Sequence, residues 1–343
     1  MKPRLYLHAG MHKTGTSAIQ KWAKANREVL ENNGLHYPDY SPFAEMKING
    51  HMQFTHSLAG KPSQLTLEEC ERLVEIWKKK CLEKGCDLFF SAESIFRHLL
   101  KSQTMHPRMA YLVKIKEIFS EFDVIPVLVF RRPDSFIESL YKENVSKPAD
   151  PLPKISEWAK TKFHLKYTEN YLRYQEVFGT TIVMIYENLI KTPNFVQSFF
   201  EGMGYQILAK FEAEAVRKSL SVPQIILKNY SNRYIHDRTV NKQFVDWLAK
   251  NKAQIHHAFG NNYASLWESA QEQRSFMRDF PLQEFYQAVG LTASEEMFPP
   301  QRVIDNVKYI SSPPEHLKIM VDQLFLDETK PFQEKLEQPI DVL

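Results

Sequence analysis

Residues 10–17 read GMHKTGTS, and the spacing within that stretch decides how the rest of the chain is read. Gly10 and Gly15 bracket four residues, and two hydroxyl residues, Thr16 and Ser17, follow. A triphosphate loop has the form GxxxxGK[ST], with lysine directly after the second glycine. Here Thr16 holds that place, and Lys13 has moved up into the loop. Before the loop, RLYLH (4–8) is short, apolar and β-prone. After it Ile19, Trp22 and Ala23 recur at helical spacing, and Asn33-Gly34 stops the helix. Strand, glycine loop and helix together aim backbone N–H groups at one point, where the helix start adds about half a positive charge. Thr14, Thr16 and Ser17 add hydroxyl donors and Lys13 an ammonium.

Working outward, DLFFSAE (87–93), DVIPVLVF (123–130) and TTIVMIY (180–186) read as further strands. Pro126 disturbs the second of these, because proline cannot donate to a ladder. Residues 67–85 form an amphipathic helix with Gly85 just past its end. Helices are also expected near 108–121, from Pro133 through PDSFIESLYKENV, and near 155–163, 167–178 and 193–203. Residues 38–66, with His51 and His56 among aromatics, read as a long ordered loop or short helices over one end of the sheet. Strands alternating with helices imply an α/β fold of P-loop type, its mainly parallel sheet covered on both faces. The expected organisation is an α/β core over 1–205, with 206–343 a helical extension of the same domain. YISSPPEHL (309–317) and FPPQ (298–301) read as loops in that extension.

The chain has 343 residues, 43% of them hydrophobic and 25% charged, enough for a sizeable core. A net charge of +3 permits an anionic ligand but lacks the concentrated basic stripe expected of a nucleic-acid binder. Cys70, Cys81 and Cys86 have no metal-ligand spacing and suit a reducing compartment. The longest apolar run, VIPVLVF (124–130), is too short to span a bilayer, and no basic-then-apolar leader precedes the first strand. The expected setting is cytoplasmic; nothing in the sequence reads out an oligomeric state.

At GMHKTGTS the sequence resembles a known family. Strand–HKTGTS–helix looks like the 5′-phosphosulfate loop of sulfotransferases that use 3′-phosphoadenosine-5′-phosphosulfate (PAPS). More narrowly, LHAGMHKTGTSAIQKW…NR…L…NGLHYP is similar to the amino-terminal block of bacterial sulfotransferase-family proteins. In FRRPDSFIESLY, Arg131 ends a strand and Ser139 follows eight residues later, a spacing that resembles the 3′-phosphate motif of the same enzymes. The resemblance covers about residues 4–205. It implies that Lys13, Thr14, Gly15, Thr16 and Ser17 hold the 5′ side of PAPS, and Arg131 with Ser139 the 3′-phosphate. Arg132 could replace Arg131, since adjacent strand residues point to opposite faces.

Sulfuryl transfer needs a base near the attacking oxygen and cationic help for the departing phosphate. Lys13 suits the second task. Glu93 suits the first, because it lies just past a strand end, where open α/β sheets bind ligands. Ser91-Ala92-Glu93 also looks like the S-S-E segment of the bacterial relatives. His51 and His56 are rival bases, while His8 and His12 suit packing or anion contacts. IYENL (185–189) looks like the Y-E-x-L that ends a strand in sulfotransferases and reads as support. NYSNRYIHD (229–237) reads as acceptor wall, adenine cover or helix packing. The expected reaction is transfer of a sulfuryl group from PAPS, without a metal, to a hydroxyl or amine of a carbohydrate, lipid or small molecule. The alternatives are a small-molecule or nucleotide kinase with a divergent P-loop, or a non-catalytic nucleotide-binding relative. A kinase loop would want the GK[ST] lysine and a strand-end aspartate, and neither is present.

Overall fold

A computed structural model describes residues 2–45, 48–207, 219–260, 265–290, 298, 312–327 and 329–337. Among them five parallel strands form one sheet flanked by helices, so the fold is α/β. The strands are β1 (Arg4–His8), β2 (Leu35–His36), β3 (Asp87–Ser91), β4 (Asp123–Phe130) and β5 (Ile182–Ile185), in the order β2-β3-β1-β4-β5. β1 lies at the centre with β3 on one side and β4 on the other. The chain leaves β1 toward β2 on one side and leaves β4 toward β5 on the other, the topology that opens a crevice at the carboxyl ends of these neighbouring strands.

The edge strand β2 is a departure from the sequence reading. It is only two residues long, follows directly on the Asn33-Gly34 turn and pairs Leu35 with Asp87 and His36 with Leu88. Pro126 is accommodated without loss. Ala9 N–H donates to the Val127 carbonyl (3.2 Å), so the polar groups of Val127 face β1 and those of Pro126 face the other way. On that side, pairing with β5 begins only at Val127, and no ladder bond is forfeited.

The first helices are α1 (Thr16–Ala25), α2 (Arg27–Asn32), α3 (Met52–Leu58), α4 (Leu67–Lys84), α5 (Pro107–Ile118) and α6 (Pro133–Val145). α4 has a full capping box, with Thr66 and Glu69 satisfying each other's backbone N–H, and left-handed Gly85 closes its other end. Alternation along β3 feeds two cores. Phe89 packs with Ile19, Val127, Phe199 and Phe200, whereas Phe90 faces Phe54, Trp77 and Phe119. Burying each such ring stabilises the fold by roughly 2–3 kcal/mol.

The described residues divide into two compact units, neither of them continuous in sequence. One is drawn from Met1–Arg132, Lys166–Val216 and Leu282–Pro299, and it holds the whole sheet. Within it Phe285, fully buried, meets Phe130 and Tyr167 at ring distances of 4.7 and 5.5 Å.

The other is drawn from Pro133–Leu165, Arg217–Pro281 and Pro300–Leu343 and is helical in its described residues. Its NYSNRY segment is occupied in holding that unit together. Asn229 brackets the backbone of Leu152 through both ends of its amide (2.8 and 2.9 Å), and Asn232 donates to the Val145 carbonyl (3.1 Å). Tyr230 and Tyr234 both donate to Asp322. Residues 299–301 and 309–311, within the two stretches read as loops, lie outside the described residues. No helix among the described residues is long and apolar enough to cross a membrane.

Candidate functional site

The loop after β1 is pinned at its base by both neighbouring strands. Ala9 donates to Val127 in β4, and Ala92 N–H donates to the His8 carbonyl (3.1 Å). The chain then bends through two left-handed residues, Lys13 (φ 64°) and Gly15 (φ 80°). Glycine adopts that region without strain; lysine there is uncommon and is held by its surroundings. At Gly15 a β-carbon would also stand 2.3 Å from the Phe195 ring, so no larger residue fits. The Thr14 hydroxyl is directed back to the Met11 carbonyl, which leaves its backbone N–H as the group it can offer. Ser17 is exposed on the first turn of α1. The Thr16 hydroxyl is buried and has no hydrogen-bond partner. Gly15, as the N-cap of α1, supplies no side-chain acceptor, and the first turn carries no acid. The helix start is therefore left for an external anion to satisfy.

At the end of β4, Arg131 reaches this loop. Its Nη1 donates to the Lys13 carbonyl at 2.9 Å, which clamps the left-handed residue from the next strand. The guanidinium lies over the Tyr186 ring (4.9 Å to the centroid), and its Nε is 3.9 Å from Glu187 Oε1. That Nε has no hydrogen-bond partner. Glu187 also accepts from the Arg132 backbone N–H at 3.0 Å through both oxygens, and Tyr167 donates to the Arg131 carbonyl at 2.6 Å. The Y-E of IYENL thus orients the arginine: one ring beneath it and one carboxylate beside it.

At the end of β3, Glu93 opens a short 3₁₀ turn (Glu93–Phe96) and pairs with Nδ1 of His12, a loop residue. Glu93 is about one quarter exposed, whereas His12 is nearly buried, so the pair lies at the rim of the loop with the carboxylate outermost. Arg108, buried on α5, braces the turn through the carbonyls of Ile95 and Phe96.

His51 has a different position. It is fully buried, stacked on Phe90 at 4.3 Å, and both ring nitrogens face the backbone. Nε2 donates to the Pro38 carbonyl (3.1 Å), and Nδ1 accepts from Ser91 N–H (3.0 Å). Burial lowers its pKa to about 4, so the ring stays neutral near pH 7 with its lone pair already engaged. His56, half-buried on α3, lies 3.3 Å from the Pro62 carbonyl through Nδ1 and 5.0 Å from the His98 ring.

The structure therefore brings Lys13, Thr14, Gly15, Thr16, Ser17, Arg131 and Glu93 together at the carboxyl edge of β3-β1-β4. His51 is held in the framework behind Ser91. Ser139, half-buried on α6, belongs to the second unit. Tyr186 and Glu187 lie in IYENL, read from the sequence as support, while their contact with Arg131 and the pairing of His12 with Glu93 were not assigned from the sequence. The signal for the first two was IYENL itself, whose tyrosine and acid are the two residues after a strand end. The residues fit an anion: a buried hydroxyl without a partner, an uncapped helix start and an oriented guanidinium lie at one loop. Among the described residues no group of three or more His, Cys, Asp or Glu is arranged to hold a metal ion. Comparison of the chain with family models, with curated proteins and with solved structures finds no match.

Proposed function

We propose that this protein is a PAPS-dependent sulfotransferase acting on a hydroxyl or amine of a carbohydrate, lipid headgroup or small molecule. The observation that carries the reading is the bond from Arg131 to the Lys13 carbonyl, because it joins the two cationic positions of the family resemblance at adjacent strand ends. A donor with phosphate at both 5′ and 3′ positions needs two such positions; a single anion loop would not.

In this reading the amides of the loop, Thr16 and Ser17 hold the 5′-phosphosulfate, and Arg131 meets the 3′-phosphate with a guanidinium already oriented by Tyr186 and Glu187. PAPS supplies an activated sulfuryl group. As the acceptor oxygen bonds to sulfur, the bridging S–O bond breaks and its electron pair stays with the 5′-phosphate, whose growing charge Lys13 neutralises. The acceptor's proton passes to Glu93, whose carboxylate is held in place by its contact with His12 Nδ1. Proton, sulfuryl group and electron pair are all accounted for without a further reactant.

The test is a pair of measurements. Thermal stabilisation by 3′-phosphoadenosine-5′-phosphate (PAP) at a hundred times its dissociation constant is expected to add about 2.7 kcal/mol. That stabilisation should fall in Arg131→Ala. Labelled PAPS should then pass its sulfate to an acceptor from a screened panel, at a rate that collapses in Glu93→Gln. Stabilisation by Mg–ATP with none by PAP would overturn the reading in favour of a kinase.

A further inference from the structure

α4 stops at left-handed Gly85 (φ 62°), and that cap draws two cysteines together. The amides of Gly85 and Cys86 both turn back to the Cys81 carbonyl, the second at 3.0 Å. In this kind of helix stop the residue after the glycine commonly packs against the last turn. With covalent lengths added at each end, a 3.0 Å contact keeps the two α-carbons within about 7 Å, a span that a disulfide can bridge. Both residues are buried, Cys86 at 5% exposure and Cys81 at 1%, and both are free thiols.

The two side chains also set each other's acidity. Contact with Cys86 is the first cause that pushes the Cys81 thiol up, and burial is the second. Contact with Cys81 pulls the Cys86 thiol down, against the cost of its own burial. Cys86, the more exposed and more acidic of the two, is therefore the attacking group, and Cys81 stands beside it. Cys70 is an internal control. It lies eleven residues before Cys81 on the same helix, about 16 Å along the axis, and burial pushes its thiol up to about 12.

We propose that Cys81 and Cys86 are a reversible redox pair that closes a disulfide across the carboxyl end of α4. The oxidant is a low-molecular-weight disulfide. The Cys86 thiolate attacks one of its sulfurs, that S–S bond breaks, and the electron pair leaves on the departing thiolate. Cys81 then gives up its proton, its sulfur attacks Cys86 Sγ, and the second small thiolate departs. Two protein thiols are oxidised, one small disulfide is reduced, and the two protons end on the two small thiols released. The new bond fastens α4 to the start of β3, where Asp87 accepts from the Arg4 amide (2.9 Å) and from the Tyr205 hydroxyl (2.6 Å). This pair is independent of what the loop at 10–17 binds.

The test treats the folded full chain with oxidised glutathione and reads intact mass and a tryptic map. The parent should lose the mass of a hydrogen pair, with CLEK (81–84) joined to GCDLFFSAESIFR (85–97) and the Cys70 peptide still reduced. Dithiothreitol should restore the original mass. Cys81→Ser should stop with glutathione held on Cys86, and Cys86→Ser should take up glutathione on Cys81 about 10-fold more slowly. Should either variant fail to fold, the map of the parent decides alone. A parent that stays reduced, one that stops at a glutathione adduct, pairing through Cys70, or a Cys81–Cys86 bond that forms only in urea overturns the proposal.

Discussion

The loop at 10–17 and the segment at 37–58 both bring histidines and hydroxyls to the end of β3, yet they treat their polar atoms in opposite ways. Among the described residues of the segment the buried polar side chains are satisfied: His51 at both nitrogens, Tyr37 on the Asn49 carbonyl (2.6 Å) and Thr55 on Ser94 (2.6 Å), while the Thr55 carbonyl accepts from Tyr111 (3.0 Å). Around the loop, His8 Nε2, Thr16 Oγ1 and Arg131 Nε are buried and carry no hydrogen bond. A saturated network is rigid and specifies shape; an unsaturated one holds interaction energy that a bound partner can release. The comparison teaches that the histidine with the most contacts is the framework, and that the site is where contacts are missing.

The contrast can be broken most sharply at His51. His51→Ala leaves the Ser91 N–H buried without its acceptor and opens a cavity against Phe90, so unfolding in urea should show a loss of about 4 kcal/mol. PAP affinity of the folded fraction should hold within about 2-fold, because this ring does not face the loop. A large affinity loss at unchanged stability would return His51 to the site. Lys13→Ala should do the reverse: transfer slowed by about 10²–10³, with melting temperature nearly kept.

Acidification sharpens the comparison next, since both regions bury a histidine. The folded-state values, about 3 for His8 and about 4 for His51, lie below the ordinary 6.5. Unfolding therefore takes up protons below pH 6.5, and stability present above that value is lost as pH falls. His8 and His51 together should remove about 3 kcal/mol between pH 6.5 and 5, measured by urea unfolding at stepped pH. His51→Gln should make that slope shallower by about 1.4 kcal/mol per pH unit, and an unchanged slope would count against the burial assigned to His51. The smallest effect belongs to Glu187→Ala. With the carboxylate gone, Arg131 loses its orientation and the Arg132 N–H its acceptor, and PAP binding measured by calorimetry should weaken about 10-fold.

Much of the fold was legible because its signals are local. RLYLH, DLFFS and DVIPVLVF carry β-prone apolar runs to glycine, acid or arginine at their ends, and Thr66 and Gly85 bound α4 at the expected places. The edge strand β2 escaped because two residues have no period to detect. The site was legible in its residue types but not in its partners. That Arg131 touches Lys13 follows from β4 lying directly beside β1, a strand order that no spacing in the sequence states. The role of His51 was hidden for the same reason, since its partners, the Pro38 carbonyl that accepts from it and the Ser91 amide that donates to it, lie 13 and 40 residues away. His8 did leave a trace: a polar residue closing an otherwise apolar strand, next to a glycine, asks for a reason.

Phe285 has a consequence for how the molecule comes into being. It lies against Phe130 and Tyr167, yet it is translated some 150 residues after the first of them and well over a hundred after the second. While a ribosome is still making the intervening helices, the aromatic flank of β4 beside Arg131 lacks the ring that closes it over Phe130 and Tyr167. The nascent sheet must wait, exposed to chaperones or to sticking, until a late stretch of chain returns to close it. Trimming the gene after the last strand would make that waiting state permanent.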